Sequence, residues 1–289
     1  MIFLYFVLVY LFLALLFTFL VHRFPRNPVV DPPDWGTIVD TRIPASDGGF
    51  LEAWKITPEQ GSRGTVVLAH GWGRNRDRMV NRGRVFGKMG YTVVVYSARD
   101  HGNSSKKTMM NTVCFAEDVQ AVLNWAGASE KEPVILYGHS AGSAGAALAA
   151  SRMPGKVKLL FLEGCFPDTR EARLSLYRWF HPLFGYPFGP AIVFFARLYF
   201  NVSWPEVSPG HVAKRITCPV MVIHGAKDRQ FPVSFAVRLR ACFNHVPNRL
   251  FIAPKAGHSD SSEDPGYLPA VVKFMEANGL PTSISHCSR

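Results

Sequence analysis

The sequence predicts an α/β fold, in which a mostly parallel, twisted sheet is flanked by helices. Short continuous apolar segments, typical of parallel strands buried on both faces, alternate with segments of helical character. The pentapeptide Gly-His-Ser-Ala-Gly at 138–142 follows one such strand and opens a run of small residues that indicates a helix. A chain of 289 residues is long enough for one such domain and an additional apolar segment.

Residues 1–22 are predicted to form a transmembrane anchor. Residues 1–21 carry no charged side chain, and about 20 apolar residues are enough to cross the hydrocarbon core of a bilayer. A cleaved signal peptide would carry its positive charge ahead of a shorter apolar core, whereas here Arg23 and Arg26 follow the apolar segment. Because basic residues beside a span tend to stay in the cytoplasm, we expect the folded domain on the cytoplasmic side of the membrane.

The domain that follows the anchor is expected to span residues 35–281. Four prolines make residues 23–34 a poor helix or strand, so this stretch is predicted to be a linker, and residues 282–289 a flexible tail. The domain is predicted to begin with an antiparallel hairpin at the edge of the sheet, formed by Thr37–Ile43 and Phe50–Ile56.

Strands and helices are then predicted to alternate along the chain. The predicted strands are Thr65–Ala69, Thr92–Ser97, Val134–Tyr137, Leu159–Leu162, Val220–Ile223 and Leu250–Ile252. The predicted helices lie around Arg78–Met89, Phe115–Ala126, 141–150 and Leu268–Asn278.

Residues 165–210 interrupt this alternation and are unusually rich in aromatic side chains. These rings either pack a helical insertion onto the sheet, or form a cap whose inner face lines an apolar pocket and whose outer face touches the bilayer.

Ser140, at the centre of the pentapeptide, is the candidate nucleophile. A sharp strand-to-helix turn crowds its own neighbours, which explains glycines two positions on either side of the serine. A serine hydroxyl is a poor nucleophile at neutral pH and needs a base, together with an acid that orients this base. Ser140 is therefore expected to have two partners elsewhere in the chain.

Two residues after later strands fit these roles. His258 follows the strand that ends near Pro254, and Asp228 lies three residues beyond the glycine that ends the preceding strand. Because the carboxyl ends of parallel strands share one edge of a sheet, we expect Ser140, Asp228 and His258 to meet there. Other acids that could orient the histidine are Asp168, Asp260 and Glu263.

This order of serine, aspartate and histidine resembles the α/β-hydrolase superfamily. The chain is most similar to the serine aminopeptidase-like or bem46-like branch of membrane-anchored serine hydrolases, over roughly Thr65–Asn278. The segment 68–73, Leu-Ala-His-Gly-Trp-Gly, matches the loop that supplies an oxyanion-hole amide in this superfamily. The resemblance therefore implies that the backbone N–H groups of Trp72 and Ala141 stabilise the charge of the tetrahedral state.

A second matching segment departs from the pattern of the superfamily. Residues 99–104 are similar to its arginine-glycine-histidine-glycine-x-serine turn, but Asp100 replaces the first glycine. Ser97 also stands where relatives usually have aspartate. We therefore expect the wall built by this turn to differ in polarity from that of close relatives.

The predicted function is that of a serine hydrolase acting on an ester, thioester or related acyl bond through an acyl-enzyme. The anchor and the aromatic insertion favour a lipid-like or lipidated substrate at a membrane. The alternatives are a serine peptidase of the aminopeptidase type and a non-catalytic binding protein with this fold. No metal or other cofactor is expected, because His70, His101, His139 and His224 lack ligand spacing and are predicted to hold loops through hydrogen bonds.

The formal net charge of +11 permits a nucleic-acid partner, but no recognised nucleic-acid-binding motif accompanies it, so none is expected. Attraction to anionic lipids is the simpler explanation beside an anchor. The densest basic run, between Arg74 and Arg84, is interpreted as a solvated helix face, with a role near lipid head groups as the alternative. Five scattered cysteines are typical of reduced thiols in the cytosol, and the sequence does not indicate an oligomeric state.

Overall fold

The structure is a computed structural model that describes residues 1–23, 26–28, 32–59, 61–132 and 134–282. Within these residues the chain forms one eight-stranded sheet with helices on both faces and an apolar helix at its N-terminus. The predicted α/β fold is therefore confirmed.

The sheet has the strand order β1-β2-β4-β3-β5-β6-β7-β8. Its strands are β1 Thr37–Pro44, β2 Phe50–Thr57, β3 Thr65–Ala69, β4 Thr92–Tyr96, β5 Val134–His139, β6 Val157–Glu163, β7 Val220–Gly225 and β8 Asn248–Ala253. The first two strands pair antiparallel, with Thr37 opposite Thr57, and β2 also runs antiparallel to β4. All other pairings are parallel. The predicted edge hairpin is thus confirmed, and the carboxyl ends of β3 to β8 share one edge.

Nine α-helices accompany the sheet in the part of the chain that the structure describes. They are α1 Ile2–Val21, α2 Val80–Lys88, α3 Thr112–Trp125, α4 Ala141–Arg152, α5 Thr169–Phe180, α6 Pro182–Phe200, α7 Pro209–Val212, α8 Val233–Ala241 and α9 Tyr267–Ala277. The sequence did not predict α7 or α8, and it indicated no separate bounds for α5 and α6 within the aromatic insertion. The other predicted helices are present, with ends that differ by a few residues.

Two apolar layers enclose the sheet because its side chains alternate between the two faces. On one face, Val67 and Leu136 pack in a buried cluster that includes residues of α3, α4 and α8. On the other face, Val66 and Ile135 pack in a second cluster with residues of α2 and α9. These layers fix the carboxyl edge of the sheet, where the candidate catalytic residues lie.

The aromatic insertion forms α5 and α6, and α6 packs against α1. Tyr10 stacks on Phe188 with ring centroids 5.3 Å apart, and Phe17 meets Phe184 edge-on at 5.2 Å. Both α1 and α6 are long and apolar enough to cross a membrane. The sequence predicts a membrane-spanning helix only for α1.

Some predictions concern residues at the margins of the described structure. Residues 26–28 of the predicted linker bind loops of the domain, whereas Pro25 and residues 29–31 lie outside the described residues. The tail from residue 283, including Cys287, also lies outside them. The four described cysteines, at positions 114, 165, 218 and 242, are free thiols.

Candidate active site

Ser140 occupies the sharp turn between β5 and α4. Its backbone dihedrals are φ 53° and ψ −120°, a conformation that residues other than glycine rarely adopt. The turn is crowded, since a Cβ atom on residue 138 would lie 2.5 Å from Ser143 Cα. A Cβ atom on residue 142 would lie 2.3 Å from the carbonyl oxygen of His70. Backbone contacts therefore require the two glycines that flank the serine in the sequence.

The structure brings together Ser140, His258 and Asp228. His258 Nε2 lies 2.8 Å from Ser140 Oγ, and His258 Nδ1 lies 2.7 Å from Asp228 Oδ2. The other oxygen of Asp228 accepts the backbone N–H groups of Gln230 and Phe231 at 2.8 and 2.9 Å. One carboxylate oxygen is thus fixed by the loop after β7, and the other faces the imidazole.

The carboxyl of Asp228 is held in its ionised form. Burial opposes ionisation, but the hydrogen bond and the electrostatic attraction to His258, with the Phe231 amide, lower the pKa of Asp228 below its usual value. An ionised carboxylate at this place keeps the proton of neutral His258 on Nδ1 and leaves Nε2 free to accept a proton from Ser140.

The other candidate acids do not bind His258. Asp260 Oδ1 accepts the N–H of Gly257 at 2.7 Å, within the histidine loop itself. Asp168 caps the N-terminus of α5 by accepting the N–H of Glu171 at 2.8 Å. Glu263 is exposed. The geometry therefore favours Asp228 as the orienting acid.

The segments that carry the two predicted oxyanion donors lie next to Ser140. The loop that contains Trp72 passes so close that a Cβ atom on residue 71 would lie 3.0 Å from Ser140 Cβ. Ala141 is the first residue of α4, and N–H groups in the first turn of a helix have no partner within the helix. The roles of the Trp72 and Ala141 amides as an oxyanion hole stay a prediction.

Four buried histidines hold the surrounding loops. His70 Nε2 accepts the N–H of Ala98 at 2.8 Å, and His139 Nε2 donates to the carbonyl oxygen of His258 at 3.0 Å. His101 and His224 also bind backbone groups. Burial lowers the pKa of His70 and of His139 to about 3, so both rings stay neutral. No group of three or more potential metal ligands is found among the residues described.

The loop after β4 retains a carboxylate despite the serine at position 97. Ser97 Oγ donates to Glu52 Oε1 at 2.7 Å, and the same oxygen accepts the N–H of Asn103 at 2.8 Å. Glu52 comes from β2, 45 residues away in the sequence. The expected change in polarity is therefore partly offset by a carboxylate from a different strand.

Asp100 explains the second departure from the superfamily pattern. Its φ of 62° lies in the left-handed region, where glycine is the usual residue and aspartate is tolerated better than most others. The side chain of Asp100 lies 3.4 Å from the Arg26 guanidinium, and Arg26 also donates to the carbonyl oxygen of Ser104 at 2.7 Å. The aspartate thus links this turn to the segment that follows α1.

A buried ion pair, which was not predicted from the sequence, supports the loop that carries His258. Arg82 of α2 donates to both carboxylate oxygens of Glu163, at 2.5 and 2.7 Å, and to the carbonyl oxygen of Ser259 at 2.9 Å. Tyr137 donates to the same carboxylate at 2.7 Å. Burial raises the pKa of Glu163, but the Arg82 charge outweighs it and lowers this pKa to about 2.

The interpretation of the basic run as a solvated face is wrong for two of its members. Arg76 and Arg82 are buried, with 5% and 3% of their surface exposed. Arg76 donates to Asp40, and its guanidinium lies 3.8 Å from the ring centroid of Trp54. These arginines pair with acids of distant strands, and the spacing of charges within residues 74–84 carries no signal of those acids.

The imidazole of His258 also contacts an apolar cluster. The Phe231 ring meets the imidazole edge-on at 5.1 Å, and Phe166 packs on Phe231 at 5.2 Å. Both rings belong to a buried cluster with Ala172 of α5. The loop after β7 and the insertion therefore build an apolar wall beside His258.

The last turn of α1 reaches the candidate oxyanion loop. The ring of His22 lies 6.3 Å from that of Trp72 and 5.0 Å from that of Phe200. The carbonyl oxygen of His22 accepts the N–H of Met110, and its ring contacts the Arg173 guanidinium of α5. One residue thus joins α1, the aromatic insertion and the loop beside Ser140.

Comparisons with known proteins agree with this architecture. Residues 60–189 match the family described as "Serine aminopeptidase, S33". The protein bem46 of Schizosaccharomyces pombe is 23% identical over 249 residues, which cover 85% of this chain and 77% of that protein. A monoacylglycerol lipase of Mycolicibacterium smegmatis is 25% identical over 227 residues, which cover 66% of this chain and 79% of the lipase. The solved structure of an esterase from Pyrococcus furiosus superposes with a TM-score of 0.68 at 19% identity, covering 88% of this chain and 98% of the esterase.

Proposed function

We propose that this chain, a hydrolase of the α/β-hydrolase superfamily, cleaves an ester, thioester or related acyl bond through an acyl-enzyme on Ser140. One observation carries the proposal. Ser140, His258 and Asp228 form a continuous hydrogen-bonded chain, with 2.8 Å between the first two side chains and 2.7 Å between the last two.

Each side chain has a defined part in the proposed reaction. His258 Nε2 accepts the hydroxyl proton while Ser140 Oγ bonds to the acyl carbon, and Asp228 stabilises the imidazolium. The N–H groups of Trp72 and Ala141 bind the oxyanion of the tetrahedral state. His258 then donates the proton to the leaving alcohol or thiol as its bond to the acyl carbon breaks. A water molecule, deprotonated by His258, releases the acid and returns Ser140 to its hydroxyl form.

The surroundings of the site support a lipid-like or lipidated substrate. The Phe231 and Phe166 rings provide an apolar wall for an acyl chain on one side of His258. The apolar helix α1 would hold the domain at a membrane, with Arg23 and Arg26 behind it and the domain on the cytoplasmic side. A relative named as a monoacylglycerol lipase supports the same class of substrate.

The acids near the cap argue against an aminopeptidase. Such an enzyme needs a free carboxylate to bind the amine of its substrate. Glu171 forms two hydrogen bonds with Arg238, at 2.9 and 2.7 Å, and Glu163 is buried against Arg82. Asp168 caps α5. These three acids are already bound to other groups. Glu206, the remaining acid of the insertion, is a single exposed carboxylate, so an acyl ester is the better candidate substrate.

The test is covalent labelling of the full-length protein in detergent with a fluorophosphonate probe. We expect the wild type to be labelled and Ser140→Ala to lose all label, because the probe reacts with an activated serine. Ser151→Ala is the matched control, since Ser151 lies in the same helix and its Oγ donates to the carbonyl oxygen of Leu148. Label that persists in Ser140→Ala would place the nucleophile elsewhere.

Substrate class is tested with the same variants. We expect nitrophenyl esters of short to medium acyl chains to be hydrolysed, and amino-acid amides to be hydrolysed far more slowly. A preference for the amides would favour the peptidase alternative, and a folded wild type that neither takes label nor hydrolyses any ester would favour a binding protein.

A further inference from the structure

The outer face of α6 is apolar along most of the helix. Residues exposed at helical spacing on this face are Leu183, Tyr186, Phe194 and Leu198, with 81%, 65%, 56% and 59% of their surface accessible. Arg197, in the last turn, is the only charged residue of α6. A helix on the surface of a water-soluble domain normally presents polar side chains on its outer face. This face therefore lacks the composition expected for contact with water.

The inner face of α6 already has its packing partners. Gly185, Gly189, Ile192, Val193 and Ala196 are buried, most of them against the aromatic side chains of α5 and α1. The exposed rings and aliphatic groups are thus additional to a complete interior. An uncovered apolar stripe of this length on a folded domain marks a surface that binds another apolar phase.

The stripe adjoins α1, and this contact indicates which apolar environment covers it. Tyr10 stacks on Phe188 and donates its hydroxyl to the carbonyl oxygen of Pro187 at 2.6 Å, while Phe17 packs on Phe184. The other faces of α1 are exposed and apolar from residue 2 onward. Because α6 packs along α1, a membrane that receives α1 also meets α6.

We propose that the outer face of α6 is embedded in the acyl-chain region of the lipid bilayer beside α1. This inference rests on the anchoring role proposed above for α1. The side chains around the stripe fit such a position. Trp179 and Tyr199 are exposed near its ends, as aromatic residues are at membrane interfaces, and Arg178 and Arg23 can reach anionic head groups.

The proposal has a consequence for substrate entry. The cap, formed by α5 and α6, would lie at the membrane surface, and Ala172 of α5 packs in the same cluster as the Phe231 ring that meets His258. A lipid substrate could then pass from the leaflet to Ser140 beneath the cap without crossing water.

Spin-label accessibility in vesicles tests the position of α6. The full-length protein carrying Cys242→Ser and Cys287→Ser is reconstituted in vesicles of phosphatidylcholine and phosphatidylglycerol. Single labels are placed with Phe194→Cys on α6, Leu11→Cys on α1 and Trp125→Cys at the end of α3. Trp125 is exposed and lies near the amino end of β5, at the edge of the sheet opposite to the cap. Power saturation with oxygen and with a water-soluble nickel chelate then reports the surroundings of each label.

We expect the labels at 194 and 11 to be relaxed more strongly by oxygen than by the nickel chelate, and the label at 125 to show the reverse. Circular dichroism melting checks that each labelled protein keeps its fold. A label at 194 that behaves like the label at 125 would overturn the inference. A label at 194 that neither reagent reaches would also overturn it, because a second copy or another protein would then cover the face.

The label at 11 separates this inference from the anchoring proposal. If residue 11 is exposed to the nickel chelate, the proposed anchoring fails, and the inference about α6 fails with it. If residue 11 is buried in lipid and residue 194 is not, only the inference about α6 fails. Neither result depends on catalytic activity, so the proposed acyl chemistry is tested separately.

Discussion

The two sides of His258 are built in different ways. Behind the imidazole loop lies a support side, made of Arg82, Glu163, Tyr137 and His139, in which buried polar groups bind one another and the loop backbone. In front lies a cap side, made of α1, α5, α6 and the rings they carry, in which the contacts are mainly apolar. The hydrogen bonds on the support side have fixed directions, whereas aromatic contacts on the cap side allow several arrangements.

This difference separates two requirements of the proposed enzyme. The geometry between His258 and Ser140 must be held within a fraction of an ångström, and charged hydrogen bonds to the loop backbone can do this. A cap that admits acyl chains must move or adapt, and apolar packing permits this at low cost. We therefore expect changes on the support side to affect stability and turnover more than changes on the cap side.

The largest effect is expected for Arg82→Met. This change leaves the buried Glu163 carboxylate without its cation, which costs about 3–5 kcal/mol of unfolding free energy in buried pairs. It also removes the hydrogen bond to the Ser259 carbonyl oxygen, so kcat should fall while KM changes little. Thermal melting and ester hydrolysis by the full-length protein in detergent measure the two effects.

Two further variants separate stability from positioning. Arg82→Met combined with Glu163→Leu removes both charges, and we expect it to recover much of the lost stability but not the lost kcat. Arg84→Met is the matched control in the same helix, because Arg84 pairs with Asp34 at the exposed surface. Full recovery of kcat in the double variant would contradict a positioning role for Arg82.

The support side also shows where prediction from sequence reaches its limit. The strands around the site and the turn at Ser140 were predictable because apolar runs and flanking glycines are local signals. The pair of Arg82 and Glu163 joins residues 81 positions apart, and Glu52 reaches Ser97 across 45 positions. Charge spacing within one segment contains no information on such partners.

The helix α6, within the predicted insertion, was not predicted, for a different reason. Pro187 and Pro190 lie inside α6, and proline lowers the expectation of a helix because it lacks an N–H group and clashes with the preceding turn. Packing of the inner face against α5 and α1 overrides this local preference. The aromatic composition of the segment can be seen in the sequence. That its apolar side chains line up on one exposed face becomes clear only once the bounds of α6 are known.

A smaller effect on the support side is expected from pH. Burial lowers the pKa of His139 to about 3, whereas a histidine in the unfolded chain titrates near its usual value of about 6.5. Above this usual value neither state binds the proton, and the stabilisation is complete. As the pH falls below it, only the unfolded chain gains a proton at His139, so stability decreases by about 1.4 kcal/mol per pH unit. Denaturation of the full-length protein at pH 7 and at pH 5.5 measures this slope.

His139→Gln isolates this contribution, because glutamine keeps a donor but does not titrate. We expect the variant to lose stability less steeply than the wild type over this pH range. His211→Gln, at an exposed histidine, serves as the control for the substitution itself. Glu163 does not interfere, since its pKa of about 2 makes its own contribution change only below about pH 4.5. Equal slopes in the wild type and His139→Gln would show that this ring is not held neutral.

The smallest effect is expected on the cap side, at His22. Its ring lies between Trp72 and Phe200, so His22→Ala removes the contact of α1 with the candidate oxyanion loop and leaves the backbone of that loop intact. We expect kcat for a water-soluble short ester to fall several-fold, because the Trp72 amide loses part of its support. Leu20→Ala, an exposed position on the same helix, is the control and should keep the wild-type rate. If His22→Ala lowered kcat as much as Arg82→Met, the cap side would have to be regarded as part of the rigid support of the site.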